Sequence, residues 1–249
     1  MPSNKKQSLE IIPIIEDRLR RIGDPEQAQF LQRFFKTGPG EYGEGDIFVG
    51  IRVPVIRKLA KEYQTLPVST TFQLLQSPIH EARLLALLIL VRHSRQTDPV
   101  LQKQICDTYL QHTRFINSWD LVDCSAHHIV GPQITHFGPD RLLKMAASPL
   151  LWDRRISIIS TFYLIKRGEF RLTLQVAERL LHDPEDLIHK AVGWMLREVG
   201  KGNQEIEESF LKGHYRTMPR TMLRYAIEKF PEEIRQSYLK GERVQSRIK

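Results

Sequence analysis

The sequence predicts an all-α protein, a HEAT- or armadillo-like solenoid of helical repeats with a concave basic face. Apolar residues recur with the helical period in nearly every segment, and no segment shows the alternation of a β-strand. Short breaks such as Gly131-Pro132 and Asp183-Pro184 separate the segments. Predicted helix pairs recur every ~35–40 residues, a spacing typical of such repeats. The alternative is an irregular helical bundle.

We predict one helical-repeat domain over residues 1–249. Its parts are lead-in helices over 8–36, an irregular loop over 37–52, repeats over about 53–240 and a basic tail over 241–249. The predicted helix pairs are 79–111, 117–147, 151–181, 185–213 and 217–238. Helix His80–Arg92 is apolar on several sides, which predicts that it packs between neighbouring helices.

The charge of the chain is uneven. The net charge is +8, and residues 141–249 contain 21 basic and 14 acidic side chains. Such a basic half favours a nucleic-acid or acidic-membrane partner, although an ordinary solvated basic surface gives the same balance. No apolar run is long enough to span a membrane, and the first 22 residues lack the features of a signal peptide. We therefore expect a cytoplasmic monomer.

The cysteine and histidine positions argue against a metal or another cofactor. Cys106 and Cys124 are too few for a disulfide framework and fit two reduced thiols. The pair His127-His128 lacks the spacing that puts two ligands on one helix face. The glycine-rich loop 37–52 lacks the order of a phosphate-binding loop, so we expect no nucleotide either.

A first candidate site lies on the predicted helix 117–130. Trp119 and Asp123 are four residues apart and therefore share one face of the helix. The core face contains Leu121, Val122 and Ile129. An aromatic ring beside a carboxylate, on a basic protein, suggests stabilisation of a cationic sugar. Trp119 packing between repeats and Asp123 as a solvated surface acid would give the same pattern.

A second candidate face lies on the predicted helix 185–199. Lys190, Trp194 and Arg197 share a side away from the apolar stripe of Ile188, Val192, Met195, Leu196 and Val199. An aromatic ring between two cations fits a surface that contacts a sugar-phosphate backbone. A tryptophan covered by the stems of Lys and Arg fits equally well.

A third candidate is the pair Arg154-Arg155 at the start of the predicted helix 151–166. Arg155 has Trp152 one turn before it and Ile159 one turn after it, so its guanidinium lies on a partly apolar side. An unpaired charge there would be costly, and we expect an anionic partner. That partner is either a phosphate or Asp123, and the latter would be a structural salt bridge.

These residues carry a resemblance. The segments Ser118-Trp119-Asp120-Leu121-Val122-Asp123, Trp152-Asp153-Arg154-Arg155 and Lys190-Ala191-Val192-Gly193-Trp194-Met195-Leu196-Arg197-Glu198 resemble the signature segments of the AlkD-type DNA alkylation-repair glycosylases. The resemblance also covers Gly40–Asp46 and Gly50–Pro54, and extends in order over roughly residues 25–230. Together the segments are specific, whereas any one alone would be weak.

The resemblance implies a solenoid that hydrolyses the N-glycosidic bond of cationic N3- and N7-alkylpurines, such as 3-methyladenine and 7-methylguanine, in duplex DNA. It implies base excision repair without base flipping. Because no lysine of the sequence stands out as a Schiff-base nucleophile, we expect a monofunctional enzyme without a lyase step. By motif, the resemblance assigns the lesion site to Trp119, Asp123, Arg155 and Trp194. We add Arg154, Lys190 and Arg197 as DNA-binding candidates. The alternative is a non-catalytic repeat scaffold that binds nucleic acid or protein.

Overall fold

The computed structural model describes residues 3–95 and 98–242. This part of the chain is built of α-helices joined by short connections, and its only β pairing is an isolated bridge between Ile47 and Ile79. The predicted all-α fold is confirmed. No helix in the described ranges is both long and apolar enough to cross a membrane. From residue 243 onward, the predicted basic tail lies outside the described residues.

Contacts divide the described chain into two compact units, one up to Ile129 and one from Val130 onward. The helices of the first unit are α1 (Ser3–Ile22), α2 (Pro25–Phe34), α3 (Val53–Glu62), α4 (Val68–Leu74), α5 (His80–Ser94), α6 (Pro99–Gln111) and α7 (Trp119–Ile129). Those of the second are α8 (Ile134–Phe137), α9 (Pro139–Ala146), α10 (Leu151–Ser160), α11 (Phe162–Ile165), α12 (Arg171–Arg179), α13 (Asp186–Gly202), α14 (Gln204–His214), α15 (Arg220–Ala226) and α16 (Glu232–Lys240).

Two helix predictions were wrong in detail, and one helix was missed. The helix predicted over 151–166 is interrupted at Thr161, where the hydroxyls of Ser160 and Thr161 donate to the carbonyls of Ile156 at 2.6 Å and Ile158 at 2.7 Å. Such hydroxyl-to-carbonyl bonds compete with regular helix geometry. The first helix of the pair predicted over 217–238 is α15 followed by a 3₁₀ turn at Ile227–Lys229, and α8 was not predicted at all.

The first unit is organised around α5. Helices α3, α4, α6 and α7 pack against it, and it is buried on nearly all sides, as its apolar sequence predicts. The loop before α3 is anchored to the start of α5, because the Glu81 carboxylate accepts the N–H groups of Val49, Gly50 and Ile51 at 2.8–3.2 Å. Gly50 has a φ of +84°, and a Cβ there would lie 2.0 Å from the Asp24 carbonyl.

The second unit is organised around α13, which packs against α10, α11, α12, α14 and α15. Its predicted core stripe is confirmed: the buried residues include Ile188, Val192, Met195, Leu196 and Val199. Gly193 lies at the close crossing with α15. A Cβ at this position would lie 2.4 Å from the Met222 carbonyl oxygen, so only glycine permits this approach.

Candidate functional site

Helix α7 carries the first pair of candidate residues. Leu121, Val122 and Ile129 are buried, as predicted, and form the face that packs inside the first unit. Trp119 and Asp123 are partly exposed and follow each other one turn apart. The structure thus places the indole and the carboxylate on a side of α7 that differs from its core stripe.

The Trp119 indole packs on an aromatic cluster. It stacks on Phe35 with ring centroids 5.2 Å apart and an interplanar angle of 10°, and meets Phe34 edge to face at 6.2 Å. Phe35 in turn stacks on Phe48 at 4.9 Å. The packing interpretation of Trp119 is therefore correct for one side of the ring, although its partners come from the lead-in segment. The ring is held in one orientation while part of it stays accessible.

Asp123 lies near a second carboxylate of α7, that of Asp120, and both act on the same thiol. Burial raises the pKa of the neighbouring Cys124 thiol, and the carboxylates of Asp120 and Asp123 raise it further. Arg57, an exposed residue of α3, acts on the same thiol in the opposite direction, so its guanidinium is within electrostatic range. The Cys124 thiol therefore stays protonated and is a poor nucleophile.

A buried ionic cluster that the sequence analysis missed lies at the start of α5 and α7. His80 bridges two carboxylates, with its Nδ1 3.1 Å from Asp46 Oδ2 and its Nε2 2.8 Å from Asp120 Oδ2. Arg83 donates to the same Asp46 oxygen at 2.5 Å, and Asn117 Nδ2 donates to the other at 3.0 Å. We call these five residues the His80 cluster.

The charges of the His80 cluster reinforce one another. Burial alone would lower the pKa of His80, but Asp120 and Asp46 outweigh it and raise that pKa from 6.5 to about 9. Burial would raise the pKa of Asp46, but the hydrogen bond from His80 and the charge of Arg83 lower it. The pKa of Asp120 is also lowered, against its burial, by His80. At neutral pH the cluster contains an imidazolium between two carboxylates.

The sequence held one signal for this cluster. His80, Glu81 and Arg83 begin a helix that is otherwise apolar and buried. Polar side chains at such positions need partners, because a buried charge without one is costly. Periodicity identifies no such partner, since Asp46 is 34 residues from His80 and Asp120 is 40.

In the second unit, Arg155 and Lys190 lie near one another. Arg155 is 4% exposed, and its guanidinium donates to the Leu187 carbonyl in the first turn of α13. Its charge opposes the proton on Lys190, although the hydrogen bond to Asp186 leaves the pKa of Lys190 raised overall. The structure therefore gives Arg155 a backbone acceptor. The predicted anionic partner of Arg155 stays a prediction.

Trp194 is held by contacts within the second unit. Its Nε1 donates to Glu198 Oε1 at 3.1 Å, one turn along α13, and its ring lies 6.0 Å from that of Phe162. Glu198 also accepts from Lys201 Nζ at 2.7 Å. The indole is partly exposed, with its N–H committed to this carboxylate.

Each of the three predicted DNA-binding cations forms an ion pair with a carboxylate of the same chain. Lys190 pairs with Asp186 at 2.7 Å, and the side chains are 41% and 56% exposed. Arg197 pairs with Glu228 at the surface. Arg154 pairs with Asp183 at 2.6 Å, where the side chains are only 13% and 4% exposed, and it also donates to two carbonyls. These contacts give Arg154 a structural role, and its predicted contact with DNA stays a prediction.

No group of three or more His, Cys, Asp or Glu side chains in the described ranges could hold a metal ion.

A family model described as DNA alkylation repair enzyme matches residues 15–230. The chain belongs to the DNA alkylation repair enzyme family.

The solved structures support the same fold for this member of the DNA alkylation repair family. It is similar to a predicted DNA alkylation repair enzyme from Enterococcus faecalis, with a TM-score of 0.64 and 19% identity. The similarity covers 84% of this chain and 97% of the other. No curated protein matches the chain.

Membership in the DNA alkylation repair family confirms the resemblance seen in the sequence. The family implies an enzyme with a role in alkylation repair and with DNA as its partner. The matched range includes Trp119, Asp123, Arg155 and Trp194.

Proposed function

We propose that this DNA alkylation repair protein is a monofunctional DNA glycosylase. It hydrolyses the N-glycosidic bond of cationic N3- and N7-alkylpurines in duplex DNA. The observation that carries the proposal is the arrangement on α7, where Asp123 follows Trp119 one turn later outside the core stripe. The Phe35 stack fixes the indole of that pair.

The chemistry needs little from the protein beyond a placed negative charge. An N3- or N7-alkylpurine already carries a positive charge and leaves without protonation. As the bond breaks, positive charge moves onto the deoxyribose in an oxocarbenium-like state. A fixed carboxylate near that sugar stabilises the transition state more than the ground state. Asp123 supplies that carboxylate and positions or deprotonates the attacking water.

The aromatic side chains bind the sugar and exclude water. An indole presents a flat apolar face to the C–H groups of a deoxyribose. This contact involves the sugar and not the base that departs. Exclusion of water strengthens the attraction between Asp123 and the developing cation. Trp119 has this role in the first unit, supported by its stack on Phe35. We assign the same type of contact to Trp194.

The cations of the second unit bind DNA phosphates. The Lys190–Asp186 pair is largely exposed and contributes little to stability, so its ammonium can exchange a carboxylate for a phosphate. The pair of Arg197 with Glu228 also has an exposed carboxylate. Arg155, next to Lys190, is the most buried of these cations, and we assign it a contact with a backbone phosphate.

Selectivity in this proposal comes from the weak glycosidic bond rather than from a pocket that reads the base. The lesion then stays in the helix without base flipping, and the enzyme contacts its backbone. Neutral lesions lack the charge that makes an alkylpurine leave. We expect the protein to release 7-methylguanine and to release hypoxanthine or uracil poorly.

One assay tests the proposal. Duplex DNA containing a single 7-methylguanine is incubated with excess protein, and released base is separated from the DNA. We expect release of free 7-methylguanine and an intact strand with an abasic site, which only later base treatment cleaves. A matched duplex containing uracil is the control. If neither base is released while the protein binds DNA, the chain is a nucleic-acid-binding scaffold.

A further inference from the structure

We propose that His80 is a positioning residue that, through the buried Asp46 and the partly buried Asp120, holds the first turn of α7 and thereby the Trp119 indole and the Asp123 carboxylate. This inference rests on the proposed glycosylase function and extends it to residues that do not touch the substrate. The His80 cluster lies within the first unit, and its charge balance requires a proton.

The bridge joins three separate parts of the first unit. Asp46 belongs to the loop before α3, His80 begins α5 and Asp120 lies in the first turn of α7. Backbone bonds align two of these parts, because Ile47 N donates to the Pro78 carbonyl at 3.1 Å and His80 N donates to the Ile47 carbonyl at 2.9 Å. The contact to α7 at Asp120 instead uses the imidazole.

The imidazole ring also contacts the aromatic cluster that supports Trp119. It stacks on Phe48 with centroids 4.3 Å apart and planes 20° apart, and lies 5.2 Å from the Phe35 centroid. Phe35 is the ring on which Trp119 stacks. His80 therefore reaches Trp119 in two ways, through the adjacent Asp120 and through Phe35. Displacement of the imidazole would affect both.

The charges facing His80 come from every element at the cluster. Asp46 faces it from the loop, Asp120 from α7 and Arg83 from α5 itself. The fourth charge, Glu81, is directed to the backbone N–H groups of residues 49–51. With imidazolium, two cations balance the two carboxylates. When His80 loses its proton, Arg83 is the one cation left beside the two carboxylates. The hydrogen bond between His80 and Asp120 is then no longer an ion pair.

The consequence is a pH limit on positioning at the proposed site. The pKa of His80 is raised to about 9, so the bridge is intact at neutral pH and weakens as pH rises through that value. A small displacement of a catalytic group costs a large factor in rate. We therefore expect the rate of base release to fall above about pH 9 because Trp119 and Asp123 lose their alignment.

The first test is the pH profile of single-turnover release of 7-methylguanine. Substrate is exposed to each buffer only during the turnover, and uncatalysed release is subtracted. In the wild type we expect the rate to fall as pH rises through about 9. His80→Gln should be about tenfold slower at neutral pH and flat across that range. A flat wild-type profile, or an unchanged profile in His80→Gln, would overturn the proposal.

The matched control is His93→Gln. His93 lies on the same helix, and its Nε2 contacts the Leu66 carbonyl at 3.0 Å instead of a carboxylate. We expect its rate and profile to match the wild type. If both histidine variants lose activity equally, the effect is general destabilisation of α5 and the positioning role is wrong.

A second variant keeps the test usable if His80→Gln does not fold. Asp120→Asn preserves the shape and one hydrogen bond but removes a charge that raises the pKa of His80. The fall in rate should therefore move to lower pH, toward the ordinary histidine value of 6.5. A purely structural role would lower the rate without moving the midpoint, and that result would contradict the proposal.

A third measurement does not depend on activity. In the background Trp152→Phe with Trp194→Phe, Trp119 is the single indole, and acrylamide quenching reports its exposure. We expect quenching to rise as His80 deprotonates and to be high at all pH values in the His80→Gln variant. If no base is ever released, the proposed function fails, while the quenching measurement still tests whether His80 positions Trp119. If base is released but the quenching of Trp119 changes neither with pH nor in the His80→Gln variant, the positioning role alone fails.

Discussion

Phe35 and Trp119 stack face to face, with ring centroids 5.2 Å apart and an interplanar angle of 10°. Phe35 directly follows α2, whereas Trp119 is the first residue of α7. This pair connects the lead-in segment to the helix that carries Asp123. The orientation of a proposed catalytic side chain therefore depends on residues far away in the sequence.

The first prediction concerns this stack. Phe35→Leu removes the flat support of Trp119, and we expect single-turnover release of 7-methylguanine to fall about tenfold because the indole loses its fixed orientation. The free energy of unfolding should fall by about 1.5 kcal/mol. Phe72→Leu is the control, since Phe72 is equally buried in the same unit but lies against His112. Equal losses of activity in both variants would contradict a specific role for Phe35.

The second prediction separates two kinds of cation in the second unit. Lys190→Gln should lower the slope of log K against log salt concentration by about 0.9, because one phosphate contact is lost. Its free energy of unfolding should hardly change, since the pair with Asp186 is exposed. DNA binding measured over a range of salt concentrations gives the slope.

Arg154→Gln is the counterpart of this variant. It leaves Asp183 buried without its partner, so we expect the free energy of unfolding to fall by about 3 kcal/mol while the salt slope stays unchanged. A reduced slope in Arg154→Gln would restore Arg154 as a phosphate contact. An unchanged slope in Lys190→Gln would remove Lys190 from the DNA-binding surface.

The third prediction concerns the pH dependence of stability. Glu207 on α14 is buried, and burial, with a smaller contribution from Glu208, raises its pKa from 4.5 to about 8. The folded state therefore holds this proton over a pH range where the unfolded chain has lost it. The stabilisation is complete below pH 4.5 and is lost as pH rises through about 8.

The variant Glu207→Gln tests the direction in which stability changes with pH. The amide keeps the shape of the protonated acid without a titration, so its stability should depend less on pH between 4.5 and 8. Above pH 8 the variant should be more stable than the wild type. Urea unfolding at several pH values measures the difference, and Glu205→Gln, an exposed change on the same helix, is the control. A wild-type stability that rises with pH relative to Glu207→Gln would contradict the assignment.

Helical periodicity predicted the parts of the fold that depend on local sequence. The buried stripes of α7 and α13 include Val122 and Val192. They were predictable because apolar residues recur on one face of each helix every three or four positions. The interruption at Thr161 was missed because apolar residues continue through it. There the departure depends on hydroxyl-to-carbonyl bonds, which leave no periodic signal.

The candidate site was only partly predictable for a related reason. A motif identified Trp119 and Asp123 as candidates, but the contacts that orient them involve Phe35, Phe48 and His80 from distant segments. Local sequence does not specify which distant ring or charge completes a site. Likewise, the predicted cation Arg154 could not be distinguished from Lys190 by sequence, because their carboxylate partners differ mainly in burial.

The central claim is that the carboxylate of Asp123 stabilises a cationic deoxyribose. Asp123→Asn keeps the size of the side chain and removes its charge, and Asp107→Asn on α6 is a charge-matched control at a surface ion pair with Lys103. Single-turnover release of 7-methylguanine and the dissociation constant for the same duplex are measured for each variant. We predict that Asp123→Asn loses about a hundredfold or more in rate while binding DNA as tightly as the control does. Release at the wild-type rate by Asp123→Asn would contradict the claim.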